Sequence, residues 1–148
     1  MVDTVTIMKL IKNIMKEKKQ TKDWYIAATH YLTAGFAIPF VFGFVIGTPL
    51  AIVLGENNLW VGIIELILMP VIMWFGVIYS AKYIERTYIV RDSNKIVNLS
   101  VIYSIVVIVG LHAYGAFVAK VEYISVATAA VTMAVFYLAS KKYIKNSE

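Results

Sequence analysis

Apolar residues run in four long stretches, broken by short polar segments, and the stretches carry almost no charge. Each is long enough to cross a bilayer as a helix, which takes about 20 apolar residues. The pattern predicts spans at about 31–55, 59–83, 98–119 and 123–140. The first break, Glu56, Asn57 and Asn58, is so short that the second helix must return antiparallel beside the first. Ahead of the spans, residues 4–19 read TVTIMKLIKNIMKEKK. Val5, Ile7, Met8, Leu10, Ile11, Ile14 and Met15 recur at helical spacing, and Lys9, Lys12, Lys16 and Lys19 fill the opposite side. That spacing predicts an amphipathic helix lying among lipid headgroups, with a solubilising basic tail as the plainer alternative. The expected fold is an all-α integral membrane protein. An N-terminal amphipathic interfacial helix (residues 1–23) precedes a four-transmembrane-helix antiparallel bundle (residues 24–148).

Charge orients this arrangement. Thirteen of the fourteen Lys and Arg residues fall in the N-terminal segment, the break between spans two and three, and the C-terminus. Only Lys120 lies in another break. By the positive-inside rule both termini are cytoplasmic, and a multi-pass protein of the plasma membrane, most simply a prokaryotic one, is expected. The composition agrees, with 60% hydrophobic residues and a mean hydropathy of +0.74. The net charge of +5 flanks apolar spans rather than forming a stripe, so anionic lipid explains it better than nucleic acid, and no nucleic-acid partner is expected. With no cysteine in the chain, disulfides and thiolate chemistry are excluded.

Two features interrupt the apolar runs. Pro39 and Pro49 in the first span and Pro70 in the second each remove a backbone donor and are candidate kinks. Span one also places Gly35, Pro39, Gly43, Gly47, Ala51 and Gly55 at intervals of four, so one helix face is small throughout. Such a face predicts close helix packing, within this chain or against a second copy.

Polar candidates within the spans are few. Glu65 is the only acidic one, about 8 Å inside Trp60 by helical rise. His112 falls at a comparable depth on span three, with Tyr114 nearby, so a Glu65–His112 pair with Tyr114 is a candidate site for proton or ion coupling. The alternative is a carboxylate that snorkels outward and a histidine bonded to a neighbouring helix. His30 sits beside Tyr31 at the inner interface and reads as a belt residue. No metal site and no cofactor are expected from two histidines and one embedded acid. Without a catalytic triad or phosphate loop, an enzyme is not expected.

A faint echo links spans two and four. MWFGVIYSAKYIER from Met73 aligns without gaps to MAVFYLASKKYIKN from Met133, matching Met, Ser, Lys, Tyr and Ile. Shared features of helix exits, such as belt Tyr and stop-transfer Lys, account for this more simply than duplication of a two-helix unit. The leading functional expectation is an accessory or structural subunit, packed in a homo-oligomer or a larger membrane complex. A small transporter or flippase-like protein using Glu65 with His112 is the alternative, and a pore-forming or membrane-remodelling protein is the third.

Overall fold

The computed structural model describes residues 19–55, 58–118 and 123–147. The side chains at 109, 111–118 and 123 lie outside that description. The amphipathic segment expected at 4–19 also lies outside it, except for Lys19.

Four long helices make up the described chain: α1 (Asp23–Leu54), α2 (Leu59–Thr87), α3 (Ser93–Val118) and α4 (Tyr123–Tyr143). Apart from its ends and the short connections the described chain is helical, and α1, α2 and α4 are each long and apolar enough to cross a membrane. Each helix starts or ends a few residues beyond the expected apolar run, because hydropathy marks apolar residues while helical hydrogen bonding continues into the polar flanks. Thus α1 begins eight residues before Tyr31, and α2 extends to Thr87.

The turns between helices follow from local chemistry. Gly55 adopts φ +90° after α1, a left-handed conformation that glycine enters without steric cost. The Asn58 side chain accepts from the Trp60 N–H at 2.9 Å and donates to the Leu54 carbonyl at 3.0 Å, capping α2 while holding the end of α1. Asp92 caps α3 by accepting from the Lys95 N–H at 3.0 Å.

The prolines act differently from one another. Helix α2 stays α-helical through Pro70, whereas α1 widens into π-helical turns at Tyr31–Ala37 and Gly43–Gly47, just ahead of Pro39 and Pro49. A proline ring clashes with the carbonyl four residues back and offers it no donor. A wider turn relieves that clash at Gly35 and Val45.

Packing is uneven along the bundle. At the end that carries the basic residues, Ile26, Ala27, Ala81, Ile84, Tyr88, Val90, Ile96, Val97 and Ile144 form a buried core. A second core follows, from Tyr31, Ala34, Met73, Val77, Phe136 and Ala139. The chain's C-terminal residues fold over this basic end: Val90 N–H donates to Ser147 Oγ at 2.9 Å and Ser93 N–H to Asn146 Oδ1 at 2.7 Å. Lys19 pairs its backbone with Thr87 and Ile89, and Lys95 meets Asp23 at 3.0 Å. Burial pushes the Tyr88 phenol above its ordinary value, and the neighbouring Tyr83 pushes it further the same way. Toward the opposite end the packing thins, and α1 has no buried residue from Gly43 onward.

Candidate functional site

Glu65 projects from the second turn of α2, in the loosely packed half of the bundle. It lines a cavity of about 330 Å³ bounded by α1 and α2 on one side and by α3 and α4 on the other. The cavity exists because the face of α1 that meets it is small. Gly35, Pro39, Gly43 and Gly47 all line it. A Cβ placed at Gly43 would meet nothing within 4 Å, and one at Gly47 would meet only Glu65 Oε1, at 3.6 Å. The four-residue ladder therefore forms a cavity wall over this stretch, where the spacing alone predicts a helix contact. At Gly55 too, open space surrounds the missing side chain. Close backbone approach occurs instead at Gly76 of α2, where a Cβ would lie 3.3 Å from the Ala34 carbonyl oxygen and 3.4 Å from Ile38. The ladder shows where side chains are absent; only the fold shows what fills the space.

The remaining walls divide by polarity. Tyr31, Phe36 and Phe42 give α1 an aromatic side. Opposite, α4 presents Ser125, Thr128 and Thr132, spaced i, i+3, i+7 on one helix face. Thr128 Oγ1 donates back to the Ile124 carbonyl at 2.9 Å, as helical threonines do. Ser104 on α3 donates to Met133 Sδ at 2.8 Å. Thr132 Oγ1 is buried and has no hydrogen-bond partner among the described residues. This hydroxyl stripe went unrecognised in the sequence because Ser and Thr are ordinary in apolar helices. Its regular spacing was the available signal.

Among the described residues Glu65 has neither a hydrogen-bond nor an ion-pair partner; the one described ion pair, Lys95–Asp23, stands at the basic end. The candidate partners His112 and Tyr114 lie on α3, and their side chains fall outside the described residues, as does any pair they form with Glu65. No group of three His, Cys, Asp or Glu converges on a metal position among the described residues.

Below the cavity the bundle is closed by a polar contact that sequence reasoning missed. His30 is fully buried, not a belt residue. Its Nδ1 lies 2.9 Å from Ser80 Oγ on α2 and its Nε2 2.8 Å from Ser140 Oγ on α4. The ring stacks on Phe136 at 5.2 Å between centroids. An uncharged imidazole satisfies both contacts, donating through one nitrogen and accepting a hydroxyl proton at the other. Ser80 and Ser140 are the serines matched in the echo between spans two and four. Ser100 on α3 adds a further buried hydroxyl, donating to the Ala27 and Ile96 carbonyls at 3.1 and 2.8 Å. His30 was misplaced because hydropathy located it at the edge of an apolar run, while α1 actually begins two turns earlier.

The chain matches no family model, no curated protein and no solved structure. The arrangement offers one carboxylate, one hydroxyl without a described partner and an aromatic wall, all around one space that is closed at the basic end.

Proposed function

We propose that the protein is a small four-span carrier of the plasma membrane, transporter- or flippase-like, which receives its ligand at Glu65. In this reading α1–α4 are the spans, both termini and the basic end are cytoplasmic, and the cavity lies in the outer half of the bilayer. Lys9, Lys12, Lys16 and Lys19 rest on anionic headgroups. The positive-inside bias supports the orientation, and the length of α3, about 39 Å for 26 residues, supports a fourth crossing.

The observation that carries the proposal is the Glu65 carboxylate without a described partner, set in the wall of a cavity. A carboxylate at that depth is costly, and such residues characteristically face a bundle interior or water and hold a proton or a cation. Helix interruptions of the kind seen in α1 also recur beside transport sites.

The accessory-subunit reading keeps one specific support. Beyond Gly43, α1 exposes Phe44, Val45, Ile52 and Val53, a surface that a partner helix covers as well as lipid does. The pore-forming reading rests on residues 1–18 and draws nothing from the described fold.

Cysteine accessibility separates these readings, since the chain has no thiol of its own. In right-side-out vesicles, Thr132→Cys and Ile64→Cys should react with a membrane-impermeant maleimide added outside. Ser80→Cys, behind the closed end, should remain unlabelled. Failure of both cavity positions to react would overturn the carrier reading in favour of a lipid-filled cleft.

A further inference from the structure

We infer that the cavity takes an amphipathic organic monocation, an ammonium group carried on a compact apolar or aromatic body. This inference rests on the carrier reading and names its ligand class. Three observations converge on it. First, Glu65 brings a negative charge into a mostly apolar space and no described residue offsets it. A neutral or anionic ligand would leave that carboxylate without a counter-charge, whereas an ammonium pairs with it through a charge-assisted hydrogen bond. Second, the wall supplied by Tyr31, Phe36 and Phe42 is aromatic. It suits an apolar body. Third, Thr132 Oγ1 is a buried hydroxyl with no described partner, available as a second polar anchor.

Donor chemistry disfavours the simplest competitor, a bare divalent metal ion. Hard divalent cations take six or more oxygen ligands at short range, and this cavity supplies one carboxylate and a few hydroxyls in a mostly apolar lining. Its 330 Å³ is at the small end of the ~300–1,000 Å³ typical of organic-ligand sites. Gly43 leaves open space where a side chain would stand, so the room for the apolar body is built into α1.

The test uses the full chain in nanodiscs of zwitterionic lipid, with empty nanodiscs as the partition control. Phenethylammonium is compared with its neutral counterpart, phenethyl alcohol, by equilibrium dialysis. The ammonium should bind saturably and about tenfold or more tighter than the alcohol, the margin expected of a charge-assisted hydrogen bond. Glu65→Gln should erase that preference, and Thr132→Val should weaken ammonium binding several-fold. Gly43→Leu, which fills the open space, should abolish binding of both probes. Equal wild-type affinity for the two probes, abolished by Gly43→Leu, would overturn the cation assignment while leaving the cavity a ligand site. A preference that survives Glu65→Gln would also overturn it. If neither probe binds although Thr132→Cys is labelled from outside, the ligand class is wrong and the carrier reading stands; if labelling fails too, both fall.

Discussion

At the residue scale, two kinds of polar group behave in opposite ways. His30 is surrounded and satisfied, with a serine on each ring nitrogen, whereas Glu65 and Thr132 line a cavity and have no partner among the described residues. The first arrangement is structural. Interhelical hydrogen bonds in membranes average about 0.6 kcal/mol and reach about 1.7. His30→Ala should therefore lower stability by about 2 kcal/mol, counting lost packing on Phe136, and Ser80→Ala and Ser140→Ala by about 1 kcal/mol each. Combined with His30→Ala, either serine change should cost almost nothing further. Denaturation of the purified variants in detergent measures this, and additive losses would refute the clamp. The glycines give a sharper contrast. Gly43→Ala should be neutral or stabilise by up to about 1 kcal/mol, since a methyl meets nothing there. Gly76→Ala should destabilise, because the methyl presses on the backbone of α1 at Ala34. The same thermal measurement ranks the two, and the reverse order would show that the ladder face packs after all.

At the scale of the elements, α1 is two helices in one. Its first half is held by α2 and α3 and contributes Ile26, Ala27, His30 and Ala34 to the buried interior. Its second half contains a widened turn and Pro49 and buries nothing. Local opening costs least where few apolar contacts must break. Hydrogen exchange in nanodiscs should accordingly be faster over 43–54 than over 72–84 of α2, although both segments are apolar. Equal protection would mean that another helix covers the second half of α1, as the accessory reading requires. Pro70 shows that a proline's effect depends on its setting, since α2, packed along its length against α4, continues as an α-helix through it.

For the whole molecule, the basic end of the bundle is sealed, and the cavity lies beyond that seal. The sealed end combines the folded-over C-terminal residues, the Lys95–Asp23 pair and the His30 clamp. If the basic end is cytoplasmic, a fluorescent protein fused after Glu148 should fluoresce, and alkaline phosphatase fused at the same place should be inactive. The opposite pattern would invert the topology and place the cavity in the inner leaflet. Echo and fold meet at this scale. The matched serines of α2 and α4 bind the two nitrogens of one histidine, so the echo marks two positions that meet in the fold.

By itself the sequence determined the helical class, the positions of the apolar helices, the clustering of basic residues at one end and the presence of a lone embedded acid. Those are one-dimensional properties, carried by run length and charge placement. It left undecided which faces meet. Helices apolar all round carry no stripe to separate a face toward a neighbouring helix from one toward lipid, so the Gly ladder pointed equally to a contact and to a gap. Only the tertiary structure made that face a cavity wall, moved the close approach to Gly76, and brought His30 between serines 50 and 110 residues away in the chain. Such meetings depend on helix rotation and depth, which packing of side-chain volumes sets and hydropathy does not record.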